Sequence, residues 1–201
     1  MELKLILFDY GGVIAPEGFQ LGILNLSLKF GISYSRMYNI AGYEASLKSG
    51  FTAGKIDESR YWEILADLLQ TKEDLSDLKY LFLDNFQPRA LMIDLIKDLK
   101  NYFKTGIFSD QTNWIYELDS KYDFFKYFDY KFISYDQGFT KHDDEFFSIP
   151  LRHTGMDPEQ ILIIDDKQRV VEKAKQFGYK TYHFTAIESC ISFLETISPA
   201  G

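Results

Sequence analysis

Four short stretches carry the side chains best able to do chemistry: "LILFDYGGVI" holds Asp9, "GIFSDQTN" holds Ser109 and Asp110, "GFTKHDDEFF" holds Lys141, and "ILIIDDKQ" holds Asp165 and Asp166. An ionised aspartate such as Asp9 is a nucleophile of the kind that forms aspartyl-phosphate intermediates. The adjacent acids Asp165 and Asp166 offer the hard oxygen ligands that Mg²⁺ takes, one or two carboxylates completed by water and substrate phosphate. Acids gathered in one place repel one another. A bound cation and the Lys141 ammonium would offset that repulsion, keep Asp9 ionised and stabilise charge on a phosphoryl group in transfer. The Ser109 hydroxyl suits a phosphoryl oxygen, and backbone N–H groups opening the helix after it would add to the same anion site.

For these residues to meet, the chain must deliver them to one edge of a sheet. Continuous apolar runs at residues 3–8, 102–109, 130–134, 160–165 and 179–184 suit strands buried on both faces. Helical patterns separate the later runs, in "PRALMIDLIKDLKNY" and in "KQRVVEKAKQFG", which stops on Gly178. Alternating strands and helices predict a doubly wound parallel sheet, whose ligands bind beyond the carboxyl ends of the strands. Asp9, Ser109 with Asp110, and Asp165 with Asp166 lie at three such ends, and Lys141 lies in the loop after another run.

Residues 16–86 break the rhythm, with no convincing strand. Helices are expected near 18–30, 34–48, 57–70 and 72–84, with Asp57 as an N-cap and breaks at Gly31, Gly50 and Gly54. The expected organisation is an α/β core of residues 1–15 and 87–201 with an all-helical insertion, 16–86, after the first strand.

The 201 residues are 46% hydrophobic and 17% aromatic, with 18 Phe and 14 Tyr, far from the signature of disorder. A net charge of -8 without basic clusters argues against a nucleic-acid partner. Cys190 is the single cysteine, and the first apolar run is too short for a signal peptide or a membrane span. A cytoplasmic monomer or homodimer without a membrane partner is the expectation.

The four stretches, in this order, resemble the motifs of the haloacid dehalogenase (HAD) superfamily, most of whose members are Mg²⁺-dependent phosphohydrolases. The resemblance covers the core from residue 4 to about 170. It implies a Rossmann-like core, and it makes the insertion similar to the family's helical cap; "GKIDESRYWEIL" resembles a stretch of that cap in the branch that includes sugar-phosphate phosphatases. It further implies Asp9 as nucleophile, with Ser109 and Lys141 as its catalytic partners. Ser109, Asp110 and Lys141 would bind a small phosphorylated substrate. Asp9, the Gly11 carbonyl, Asp165 and Asp166 would hold Mg²⁺.

Gly11 departs from the pattern, because phosphatases of the family usually carry there a second aspartate that serves as general acid and base. Its loss removes a contribution of about 10² to 10⁴ in rate. Glu17 and Asp110 are the candidates to stand in. Two alternatives keep the same fold: a protein that binds a phosphorylated ligand or partner without turnover, and a metal-free dehalogenase. Asp165 and Asp166 argue against the dehalogenase, whose branch lacks the paired acids. Other motifs have plainer readings. Cys190 is expected in a buried helix face and the aromatic series 121–132 in the core, while Tyr34, Tyr38, Tyr43, Tyr61 and Trp62 line either the core of the insertion or a pocket.

Overall fold

A computed structural model of the chain describes residues 2–197. The apolar runs form five strands, β1 (Leu5–Phe8), β2 (Lys104–Ser109), β3 (Tyr130–Ile133), β4 (Ile161–Asp165) and β5 (Lys180–His183). They pair in the order β3-β2-β1-β4-β5, every pair parallel. Strand periodicity sends Leu5 and Leu7 to one face, among Phe108, Phe146 and Ile163, and Ile6 and Phe8 to the other, among Ile96, Ile107 and Ile164. With both faces covered, an alternating polar pattern has no place, which is why β1 reads as an unbroken apolar run.

The helices are α1 (Gly18–Phe30), α2 (Tyr34–Met37), α3 (Glu58–Leu69), α4 (Tyr80–Leu83), α5 (Ala90–Leu99), α6 (Trp114–Tyr122), α7 (Ser134–Gln137), α8 (Asp144–Thr154), α9 (Gln168–Gln176) and α10 (Ile187–Ile197). None of the helices among the described residues is long and apolar enough to cross a membrane. Met1 and residues 198–201, assigned to the core from sequence, lie outside the described residues. Cys190 is fully buried against the sheet, and burial pushes its thiol up to about 12, so it packs as an inert apolar group. Phe124, Phe128 and Phe132 are likewise core.

The helical segment follows the sequence expectation in part. Asp57 caps α3 by accepting the Arg60 N–H at 2.9 Å, and Gly31, Gly50 and Gly54 all take left-handed conformations at the breaks. The expected helix 72–84 is only a 3₁₀ turn, Ser76–Lys79, leading into α4. Its first residues are held otherwise: Thr71 Oγ1 accepts the Glu73 N–H and Asp74 Oδ1 accepts the Ser76 N–H, side-chain bonds that compete with helix. The expected α-helix 34–48 becomes a π-helix over Tyr38–Lys48. Its i→i+5 bonding widens the turn.

The loop after β1 is fixed from two sides. Tyr10 donates its hydroxyl to the Phe86 carbonyl at 2.8 Å, and the Arg89 guanidinium donates to the carbonyls of Gly12 and Val13 at 2.8 and 2.6 Å. The two glycines in this loop differ. Gly12 has φ +88, and a Cβ there would meet the Asp166 carboxyl carbon at 2.4 Å. Gly11 has ordinary backbone, and the nearest atoms to a Cβ would be Gln111 Nε2 and Phe86 Cε1 at 3.7 Å and Glu17 Oε2 at 3.8 Å. The fold requires glycine at 12 and only admits it at 11.

The helical segment has its own apolar cluster, including Ile23, Leu26, Tyr61, Trp62 and Phe82. Trp114, which opens α6, plugs into it: the ring stacks on Trp62 at 5.7 Å and meets Phe82 at 5.1 Å and Phe51 at 5.6 Å. Trp114→Ala should therefore cost about 3–5 kcal/mol, read as a lower denaturation midpoint. Gly12→Ala should lower stability by at least about 1–2 kcal/mol, the cost of a left-handed residue bearing a Cβ. Gly11→Ala should leave stability unchanged or raise it by about 0.4–1 kcal/mol.

Candidate active site

Parallel pairing brings the ends of β1, β2 and β4 to one edge, with chain order reversing at β1. Asp9 follows β1, its N–H bonded to the Ile164 carbonyl at 2.9 Å, so the residue is held in register with β4. Its Oδ1 accepts the Ser109 hydroxyl at 2.6 Å and the Tyr10 N–H at 2.8 Å, and lies 2.9 Å from Lys141 Nζ. Lys141 Nζ also donates to Asp165 Oδ2 at 2.6 Å. Lys141 is 3% exposed and Asp165 fully buried, so the ammonium and its carboxylates lie out of solvent together. The loop carrying Lys141 is set by Asp110, whose Oδ1 accepts the Lys141 N–H at 2.8 Å.

Burial dominates the electrostatics. Desolvation raises the Asp9 carboxyl to about 8, outweighing the Lys141 charge and the Ser109 hydrogen bond, with Asp165 pushing in the same direction. For Lys141 burial disfavours the charge, but Asp165, Asp9 and Asp110 together prevail and raise its pKa, so it stays an ammonium ion. Burial also raises Asp110, against the pull of Lys141.

Asp9, Asp165 and Asp166 each offer a carboxylate oxygen within 4.8 Å of the others. Asp166 Oδ1 is buried without a hydrogen-bond partner, a costly state for an acceptor and one that a cation relieves. Hard oxygens and an orphaned carboxylate oxygen fit Mg²⁺ or a similar divalent ion. Asp166 Oδ2 pairs with Lys167 Nζ at 2.8 Å, and the same ammonium binds Glu17.

A cleft of about 190 Å³ opens above Asp9. Gly11, Asp110, Gln111 and Lys141 form its floor side, while Phe19, Gln20, Tyr38, Gly42, Ser46 and Thr52 come from the helical segment. The widened π-helical turn puts Tyr38, Gly42 and Ser46 on this side. Of the aromatic residues singled out from sequence, Tyr61 and Trp62 pack inside the helical segment and Tyr38 lines the cleft, while Tyr34 and Tyr43 are surface residues.

Ser109, Lys141, Asp165 and Asp166 thus all gather at Asp9. One expectation changes: α6 begins only at Trp114, so the backbone beside Ser109 is the loop 110–113 and not a helix N-terminus. Here Gln111 N–H donates to Ser134 Oγ at 2.9 Å, and Ser134 donates in turn to the Thr52 carbonyl at 2.7 Å. Lys167 went unread in the sequence although it directly follows the acid pair; its charge was the available signal. Gln111 offered none, and of the cleft residues in the helical segment only Glu17 and Tyr38 were singled out from sequence.

No family model matches the chain. A curated relative, D-ribitol-5-phosphate phosphatase of Bacteroides thetaiotaomicron, is 21% identical over 188 residues, 90% of this chain and 91% of the relative. Among solved structures, a HAD family enzyme of Bacteroides thetaiotaomicron superposes with a TM-score of 0.77 at 20% identity, covering 96% of this chain and 99% of that one. The same enzyme in complex with magnesium and inorganic phosphate gives 0.75 at 17% identity, over 92% and 96%. The L-2-haloacid dehalogenase of Xanthobacter autotrophicus gives 0.66 at 16% identity, over 98% and 85%. By its sheet order, its motif residues assembled at one edge, and these likenesses, the chain shares the fold of haloacid dehalogenase family enzymes.

Proposed function

We propose that the protein is a hydrolase that cleaves a small phosphate monoester, a class that includes sugar phosphates, with Asp9 as nucleophile. The observation that carries this reading is the juxtaposition of Asp9, Asp165 and Asp166 around an unpartnered Asp166 oxygen, with the Lys141 ammonium between two of them. The phosphatase relative and the neighbour crystallised with magnesium and phosphate support it.

In this reading Asp9, the Gly11 carbonyl, Asp165 and Asp166 would hold Mg²⁺, which would neutralise charge on the phosphoryl oxygens. Ser109 and Lys141 donate to the phosphoryl group and orient Asp9. An Asp9 carboxylate oxygen attacks phosphorus in line, the ester oxygen leaves with the bond's electron pair, and water then hydrolyses the aspartyl-phosphate. The helical segment, read as a cap over residues 16–86, limits water around the reacting group. A cytoplasmic setting completes the proposal.

The dehalogenase reading is weaker: its structural likeness shows a shared fold alone, and the acid pair has no role in it. A ligand-binding role without turnover is the second alternative, motivated by Gly11. Phosphate release from a panel of sugar phosphates and an activated aryl phosphate separates them. Mg²⁺-dependent turnover that falls at least about 10³-fold in Asp9→Asn is expected, whereas binding of phosphate without release from any ester would refute the hydrolase.

The raised Asp9 pKa adds a second prediction. Burial favours the neutral acid, so in the metal-free protein its contribution to stability is complete below the ordinary carboxyl range and is lost as pH rises through about 8. Mg²⁺ favours the anion. Its binding should release a proton below about pH 8 and tighten with rising pH up to that point, as measured by calorimetry in buffers of different ionisation heat.

A further inference from the structure

We propose that the preferred substrate is an aryl phosphate, an ester whose alcohol leaves as a stabilised oxyanion without being protonated; this rests on the phosphohydrolase reading above. In-line attack by Asp9 sends the leaving oxygen away from the core and into the cleft. The walls it meets there from the helical segment are Glu17, Phe19, Gln20, Tyr38, Ser46 and Thr52. Apart from Glu17, whose carboxylate is paired with Lys167, these are aromatic rings, an amide and hydroxyls.

Nearer the phosphorus, the place of a side chain at residue 11 is open. A Cβ would find only ordinary contacts, and backbone geometry does not demand glycine there. The space is bounded by the Phe86 ring edge, the Gln111 amide and Glu17. Glu17 is the one cleft carboxyl on that side, and it is bound to the Lys167 ammonium, which also holds Asp166. Asp110 is engaged by the Lys141 N–H. His142 and Arg169 stand exposed on the core-side rim.

A leaving oxygen here receives hydrogen bonds from amide and hydroxyl groups but no proton. The P–O bond breaks with its electron pair on oxygen, and the oxyanion takes its proton from water after release. Phenols, with pKa about 10, tolerate this far better than alkyl alcohols, which lie nearer the 15.7 of water. The same cleft offers Phe19, Tyr38, Phe86 and Trp114 as a wall for a planar ring. Among sugar phosphates, the more acidic anomeric hydroxyl would depart more readily than a primary one.

The test is a series of aryl phosphates of graded phenol pKa together with primary alkyl phosphates, all with Mg²⁺. We expect kcat/KM to fall steeply with leaving-group pKa, with aryl esters ahead of alkyl esters by about 10² to 10⁴, the usual worth of a general acid. Gly11→Asp should narrow that gap at least tenfold, and Gly11→Asn, of the same shape without the proton, should not. Phenylphosphonate should bind more tightly than a primary alkylphosphonate to Asp9→Asn in a calorimetric titration. Aryl and alkyl esters turning over within about threefold of each other would overturn the proposal, on the same scale. So would a selective loss of alkyl turnover in Glu17→Gln or His142→Gln, which would identify a proton donor. No turnover on any ester, with phosphate still bound, would instead remove the hydrolase reading beneath it.

Discussion

A single ammonium ion held between two buried carboxylates organises this molecule's chemistry. Lys141 sits 2.9 Å from Asp9 and 2.6 Å from Asp165, almost without solvent. Two carboxylates at that depth repel each other and lose hydration, and only a cation set among them with good geometry makes the arrangement tolerable. The parallel sheet supplies the geometry by ending β1 and β4 side by side, and the loop after α7 supplies the cation. That loop owes its shape to local bonds: Asp110 takes the Lys141 N–H, and Asp143 Oδ2 takes the Thr140 N–H at 2.8 Å. Asp110 therefore has a positioning duty whatever else it does.

A second pairing stands beside the first. Lys167 joins Asp166 to Glu17, so the end of β4 is tied to the start of the helical segment. Further ties cross the same boundary. Asn113 donates to Glu58 at 2.9 Å, Ser134 to the Thr52 carbonyl, and Trp114 fills the aromatic cluster around Trp62. The loop after Ser109 is thereby gripped by both parts of the fold. The loop is thus set relative to Asp9 and to the cleft walls at once, the kind of remote packing that orients groups at a site.

The two adjacent glycines illustrate how one residue type answers to different constraints. Gly12 is dictated by a left-handed backbone pressed against Asp166, so it belongs to the architecture of the acid cluster. Gly11 has neither restriction, and its missing side chain leaves room between Gln111, Phe86 and Glu17. The difference is conformational and steric, and a string of letters reading "GG" contains neither.

The sequence by itself determined the sheet and its edge. Runs buried on both faces, separated by helical periodicity, specify parallel strands, and the polar residues at their ends must then share one side, because connections in such sheets keep one direction. Asp9, Ser109, Lys141, Asp165 and Asp166 were legible for that reason, as was the Asp57 cap, a purely local bond. Tertiary structure alone decided the rest. The π-helical turn over Tyr38–Lys48, the truncation of the last expected helix, the partners of Glu17 and Lys167, and the residues facing the cleft all depend on which surfaces pack together. Local patterning records whether a side chain is buried; it does not record what it is buried against.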